Sequence, residues 1–152
     1  MNILRLNLNG YPSFITTKTL NNYPFFSNST NAEILVSGLL FGQRNNWFDL
    51  VAFVIMPDHL HLIIIPKEKN VSQCMHSIKS FSSKEINKNS QHKGSVWQSS
   101  SMDLTLWSEE VVIEKINYIH NNPVRKELVS DPGNYRYSSA NTRYEKELFR
   151  SF

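Results

Sequence analysis

Two histidines separated by one residue, His59 and His61, have the type and spacing that most directly suggest chemistry. Residues two apart on a β-strand point to the same face, and the apolar run from Leu60 to Ile65 predicts such a strand. Two neighbouring imidazoles can chelate one divalent ion, but two ligands do not fix a metal, so a third must come from elsewhere. Alone, a pair of this kind is also common by chance.

Tyr118 and Asn122 form a second candidate pair, one helical turn apart on a predicted helix. The helical wheel places both, with Lys115, beside the apolar stripe that runs through Val112 and Ile119. A tyrosine hydroxyl can attack a phosphodiester and leave a covalent link that keeps the bond energy for rejoining. A phenol of pKa about 10 needs help at neutral pH, which a cation near the phosphate could supply. The alternative is a tyrosine at the core margin with a solvated hydroxyl.

The third metal ligand could be the amide oxygen of Asn122, because it shares a helix face with the candidate nucleophile. Asp58, next to the histidine pair, is expected to serve a tight turn together with Pro57. The alternative for Asp58 is a carboxylate that holds one imidazole in a fixed tautomer.

The elements that must position these side chains follow the order β-α-β-β-α-β-α. The predicted strands are residues 14–19, 47–56, 60–65 and part of 96–107, and the predicted helices are 30–41, 72–88 and one from Ser108 to just before Pro123. The first helix should end near Gly42. We therefore expect an α+β fold, an antiparallel sheet covered by helices on one face.

The bulk properties favour one globular domain over residues 1–152, with 139–152 as an expected flexible tail. A single cysteine, Cys74, excludes an internal disulfide and favours a reducing, cytoplasmic setting. No apolar run is long enough for a membrane span, and no cleaved signal peptide is expected. The net charge of +3 and the pI of about 9.0 give weak support for a nucleic-acid partner.

Five cations are candidates for DNA contacts. Lys79 and Lys84 lie on the second predicted helix and could follow a phosphate backbone or form a solvated face. Lys115 shares the polar flank of Tyr118, and Arg125 and Lys126 come directly after the tyrosine helix, where a site that binds a phosphate would need them.

Three motifs, taken together, resemble the HUH single-tyrosine transposases of small insertion sequences, and most strongly their REP-associated branch. They are Met56–His61 (MPDHLH), Tyr118–Val124 (YIHNNPV) and Tyr135–Ser139 (YRYSS), and the resemblance extends over about residues 12–140. One departure lies around Glu127 and Ser130, where members of the family often carry a glycine and a more apolar turn. That departure would alter DNA contacts and leaves the histidine and tyrosine motifs intact.

The resemblance implies a ferredoxin-like antiparallel sheet and a metal-dependent single-stranded DNA endonuclease and strand-transferase. His59, His61 and Asn122 would bind Mg²⁺ or Mn²⁺, and Tyr118 would form a 5′-phosphotyrosine and release a 3′-OH. The partner would be single-stranded or hairpin DNA. The chain would act as a monomer, or as a homodimer whose subunits exchange the tyrosine helix.

Three alternatives to this interpretation stay open at the level of sequence. The first is a domesticated DNA-hairpin-binding protein of the same fold that has lost catalysis. The second is a zinc hydrolase, a class that normally needs three strong ligands and an acidic base. The third is a structural module in which the histidines are incidental.

Overall fold

A computed structural model describes residues 10–149 of the chain. Its strands are β1 (Ser13–Lys18), β2 (Phe48–Met56), β3 (His59–Pro66) and β4 (Met102–Thr105), and its helices are α1 (Ser29–Arg44), α2 (Val71–Lys88) and α3 (Glu109–Arg125). Short 3₁₀ segments are Leu20–Asn22, Phe25–Ser27, Pro132–Asn134 and Thr142–Tyr144. The predicted element order and the α+β class are confirmed. Over the same residues, no helix has the length and apolar character that crossing a membrane requires.

The four strands form one antiparallel sheet in the order β2-β3-β1-β4. This order, with α1 and α2 as crossovers, is that of a ferredoxin-like fold. β2 and β3 form the predicted hairpin, in which Met56 pairs with His59 across the turn. On its other side β3 pairs with β1, so that Thr16 lies opposite His61 and Lys18 opposite His59. The histidine strand is therefore an interior strand of the sheet.

Helices cover both faces of the sheet, which corrects the expectation that one face alone would be covered. Side chains of β3 alternate, and Leu60, Leu62 and Ile64 pack into a core with α1 and α2. Ile63 and Ile65 point the other way and pack with residues of α3. The physical reason is that β2 and β3 are apolar almost throughout, a pattern typical of strands buried on both faces.

The first helix continues two residues past Gly42 to Arg44, close to the end expected near that glycine. A Cβ atom at Gly42 would lie 2.5 Å from ring atoms of Phe48. The glycine is therefore there for the close approach of the first residue of β2, and it does not mark the helix end.

The tyrosine helix also runs further than expected, through Pro123 to Arg125. Proline in the last turn removes one backbone donor. The helical hydrogen bonding resumes after it, because the Lys126 amide donates to the Asn122 carbonyl at 3.1 Å. The helix ends at Arg125, and Glu127, two residues later, has a φ of +60°. The Glu127 amide donates to Val124 O at 3.0 Å and the Leu128 amide to Pro123 O at 2.9 Å, the two bonds of a Schellman motif.

A left-handed residue after a helix is most favourable as glycine, so Glu127→Gly should stabilise the protein. We expect the free energy of unfolding to rise by about 0.5–1 kcal/mol, measured by urea denaturation. The neighbouring Lys126→Gly is the control, because the φ of Lys126 is −90° and glycine should destabilise there. A loss of stability in Glu127→Gly would contradict this account of the helix end.

The segment after Ser138, expected to be a flexible tail, follows the outer edge of β2 over its described part. The Ser139 amide donates to Phe53 O at 2.9 Å, and the Phe149 amide donates to Leu50 O at 3.0 Å. Tyr144 is 2% exposed and packs in the core beneath α1. Residues 150–152, also part of that expectation, lie outside the described residues.

Candidate active site

The histidine pair points toward α3, with the two ring centroids 4.7 Å apart. Nδ1 of His59 lies 2.7 Å from Oδ1 of Asp58, and Nδ1 of His61 lies 2.8 Å from Oγ1 of Thr16. Since each Nδ1 is already hydrogen-bonded, each ring has its Nε2 atom left for a ligand. Such partners fix the tautomer and orientation of an imidazole that binds a metal.

Asp58 makes contacts relevant to both of its interpretations, as a turn residue and as a carboxylate beside an imidazole. Its carboxylate contacts His59, and its backbone carbonyl accepts hydrogen bonds from the amide and the hydroxyl of Thr19, each at 3.0 Å. The carboxylate of Asp58 therefore contacts one histidine, while its backbone carbonyl connects the turn to Thr19.

The charge state of His61 suits a ligand role. Burial lowers the pKa of His61 to about 3, and electrostatic interactions with His59, Arg125 and Lys18 act in the same direction. The imidazole is therefore neutral at neutral pH, which is the form that binds a metal ion.

Tyr118 lies beside the histidines in the same chain. Its ring centroid is 5.5 Å from that of His61 and 5.9 Å from that of Phe14, both in edge-to-face geometry. The buried side chains of Val112 and Ile119 anchor α3 on the sheet, while Tyr118 itself is 38% exposed. The structure therefore brings together the two motifs that the sequence separates by more than fifty residues.

Asn122 is 2% exposed, deeper than the polar flank on which the sequence placed it. Its Oδ1 atom has no hydrogen-bond partner, although it is buried. Leaving a buried acceptor unsatisfied costs about 1–3 kcal/mol, so this oxygen suits a ligand that the protein itself does not supply.

The residues present fit a divalent metal ion as two imidazoles plus one amide oxygen. Within residues 10–149, no group of three or more His, Cys, Asp and Glu side chains is arranged to hold an ion. Asn122 is outside those residue types, and it lines the same cavity as His59 and His61. The buried, unpartnered oxygen of Asn122 makes this residue the candidate for a third ligand.

The cavity that contains these groups has a volume of about 640 Å³. It lies between β1, the β2–β3 turn and the C-terminal half of α3. Besides the histidines, Tyr118 and Asn122, its lining includes Thr16, Lys18, Asp58, Arg125 and Lys126.

The five predicted DNA-binding cations divide between the two faces of the molecule. The Arg125 guanidinium carbon lies 4.4 Å from the centre of the Tyr118 ring, the Lys115 Nζ atom lies 5.6 Å from it, and Lys126 lines the cavity. Lys79 and Lys84 lie on α2, across the sheet. Lys79 donates to Gln98 O at 3.0 Å, and burial lowers its pKa, whereas Lys84 is exposed.

Thr16 and Lys18 belong to the site, and neither was singled out from the sequence. Both point toward α3 because β1 pairs with β3 in the register that sets them opposite the histidines. Residues 16–19 are all polar, so no alternation singles out these two, and the strand pairing that places them in the site joins residues more than 40 positions apart.

Comparisons with known proteins show similarities of fold and of sequence family. The fold is similar to a REP-associated tyrosine transposase bound to a REP hairpin, with a TM-score of 0.76, 18% identity, and coverage of 95% of this chain and 85% of that chain. It is also similar to a candidate transposase from Deinococcus radiodurans R1, with a TM-score of 0.54, 23% identity, and coverage of 72% and 88%. Both likenesses are of fold. Comparison with curated protein sequences finds no match.

The sequence model of one family, described as "Transposase IS200 like", matches residues 21–122. That stretch is more than half of the chain, and it contains the histidine pair, Tyr118 and Asn122. This chain belongs to the IS200-like transposase family.

Proposed function

We propose that this protein is a metal-dependent endonuclease and strand-transferase for single-stranded or hairpin DNA, acting through a covalent 5′-phosphotyrosine at Tyr118. The observation that carries the proposal is the placement of Tyr118 against His61, with ring centroids 5.5 Å apart, in the cavity that also holds His59 and Asn122. Membership of a transposase family supports DNA cleavage as the reaction class. The hairpin bound to the REP-associated relative supports hairpin DNA as the partner.

His59, His61 and Asn122 would hold the metal ion, Mg²⁺ or Mn²⁺. A divalent cation bound there would withdraw charge from the scissile phosphate. The protein contributes the neutral imidazole of His61 and the ring of His59, which Thr16 and Asp58 orient.

In the chemical step, the Tyr118 hydroxyl oxygen attacks phosphorus and the bond from phosphorus to the 3′ oxygen breaks. The tyrosine proton leaves to solvent, which the 38% exposure of the side chain allows, and the departing 3′ oxygen takes up a proton. Arg125 and Lys115, which flank the tyrosine ring, lie where they can bind the phosphate oxygens. Attack of a 3′-OH on the phosphotyrosine reverses the step and rejoins the strand.

We further propose that residues 1–152 act as one domain and that a single chain carries the complete site. The supporting observation is that α3 packs on the sheet of its own chain, through Val112 and Ile119, and brings Tyr118 to that chain's own His61. No exchange of the tyrosine helix between subunits is needed to assemble this arrangement.

A mixing experiment tests whether the site works within one chain. Tyr118→Phe is mixed with a His59→Ala/His61→Ala variant, and covalent DNA adducts are scored on denaturing gels beside the unmodified protein. We expect no adduct from the mixture, since neither chain has both halves of the site. Adduct formation by the mixture would contradict a site built within one chain and indicate exchange of α3.

The contact between Asp58 and His59 predicts a measurable change in metal affinity. Asp58→Ala should raise the Mn²⁺ concentration for half-maximal cleavage by about 10–100-fold, because His59 loses the group that orients it. Asp58→Asn keeps an acceptor oxygen and the turn, so it should restore most of that loss. Equal metal requirements in all three proteins would show that the carboxylate serves the turn alone.

A further inference from the structure

A second cavity, of about 660 Å³, adjoins the first on the other side of Tyr118. The two cavities share four lining residues, Thr16, Lys18, His61 and Tyr118. The proposed nucleophile thus stands at the boundary between two spaces, each within the ~300–1,000 Å³ typical of ligand sites. A linear ligand that crosses the boundary would place one of its bonds at the tyrosine.

The charges along this path suit a polyanion. Lys18 is exposed and lines both cavities, so this lysine lies at their junction. Lys115 adds a positive charge to the second cavity, and Arg125 and Lys126 add two to the first. The carboxylate among the lining residues is Asp58, in the first cavity, and it contacts His59. Successive phosphates of one strand would therefore meet cations on both sides of the cleavage point.

The second cavity also has an apolar wall at its outer end. Met102, on the edge strand β4, is 59% exposed and pairs with Thr16, which places its side chain on the face that carries the site. It lines the second cavity together with polar groups of Gln98, Ser100 and Ser101. A nucleobase has an apolar face and a polar edge. The exposed thioether of Met102, beside these hydrogen-bonding groups, is therefore a suitable surface for one.

We propose that a single DNA strand crosses the site from one cavity to the other, with a phosphate bound by Lys18 at the junction and the adjoining base seated against Met102. This inference rests on the proposed function, since it assigns a path to that substrate. It makes Lys18 a phosphate-binding residue and Met102 a determinant of base preference at one position beside the cleaved bond.

The contact between Met102 and a base is tested in the Tyr118→Phe protein, so that binding is measured without cleavage. The probe is a pool of DNA hairpins with a randomised single-stranded flank, and the bound fraction is sequenced. We expect a base preference of about tenfold at one flank position, which Met102→Ala reduces to less than about twofold while the other positions keep theirs. Leu104→Ala is the matched control, an exposed apolar residue on the same strand and face that lines neither cavity.

The phosphate contact is tested by the salt dependence of binding to one hairpin from that pool. Lys18→Gln should lower the slope of log K against log salt by about 0.7, the value for one phosphate of a single strand. Lys146→Gln, an exposed lysine that lines neither cavity, should leave the slope unchanged.

Two results would overturn the proposed strand path. One is a base preference that Met102→Ala leaves unchanged, and the other is a slope of log K against log salt that Lys18→Gln leaves unchanged. Both readouts concern binding alone, so they can fail while the unmodified protein still forms a covalent adduct. Conversely, an unmodified protein that forms no adduct, but shows these binding effects, would refute the nuclease and leave the strand path standing.

Discussion

Tyr118→Phe should abolish covalent capture of a labelled DNA strand, with a loss of at least about 10³-fold in the rate of adduct formation. The substitution removes only the hydroxyl oxygen that would attack phosphorus. The phenylalanine ring can keep the contacts of Tyr118 with His61, Phe14 and the Arg125 guanidinium, so hairpin affinity should change by less than about twofold. Adducts are measured on denaturing gels, and affinity is measured by fluorescence anisotropy.

The matched control is Tyr11→Phe, because Tyr11 is also 38% exposed and lines neither cavity beside the histidines. Full adduct formation in Tyr11→Phe and none in Tyr118→Phe would distinguish the nucleophile from a general effect of losing a hydroxyl. Undiminished cleavage by Tyr118→Phe would mean that water or another side chain attacks the phosphate.

The combined substitution of His59 and His61 by alanine should remove cleavage that depends on Mg²⁺ or Mn²⁺. Loss of two of the three proposed ligands removes several kcal/mol of charge stabilisation in the transition state, which corresponds to at least about 10³-fold in rate. Rates are measured with and without EDTA. His76→Ala is the control, since His76 is exposed on α2 across the sheet.

Because His61 is 7% exposed, the alanine variant could also lose stability, so a His59→Gln/His61→Gln variant of closer volume is measured beside it. Both double variants should melt as folded proteins and fail to cleave. Cleavage by the unmodified protein that is indifferent to EDTA would contradict the metal site, whatever the variants do.

The parts of the site that depend on local geometry were predictable from the sequence. The hairpin follows from apolar strands on either side of Pro57 and Asp58, and the shared direction of His59 and His61 follows from the two-residue period of a strand. The helical spacing of Tyr118 and Asn122 is local in the same sense.

The parts that depend on strand order and on helix placement were not predictable from one sequence. The continuous apolar runs of β2 and β3 are typical of strands buried on both faces, so the expectation of a single covered face did not use a signal that the sequence carries. What no local pattern specifies is that α3 is the helix that packs opposite α1 and α2. The sequence favours Arg125 over Lys79 for DNA contacts because Arg125 follows the tyrosine helix, but only the fold shows that the two lie on opposite faces of the sheet. The burial of Asn122 likewise arises only when α3 docks on the sheet.

Two helix ends show tertiary structure overriding local rules. Gly42 resembles a helix terminus, but it is required by the ring of Phe48. Pro123 resembles a helix breaker, but it is buried within the last turn of α3. The helix continues to Arg125, whose guanidinium contacts the Tyr118 ring, and the Schellman motif at Glu127 follows directly. Extending the helix through Pro123 carries Arg125 to the tyrosine ring.

The most direct test of the central claim is to identify the residue that becomes bonded to DNA. The unmodified protein is incubated with Mn²⁺ and a pool of single-stranded hairpins, the adduct is isolated and digested, and the nucleotide-linked peptide is sequenced by mass spectrometry. The account predicts one modified residue, Tyr118, joined to a 5′ phosphate, and no adduct in the presence of EDTA. A nucleotide on any other residue, or cleaved DNA with no covalent protein, would contradict it.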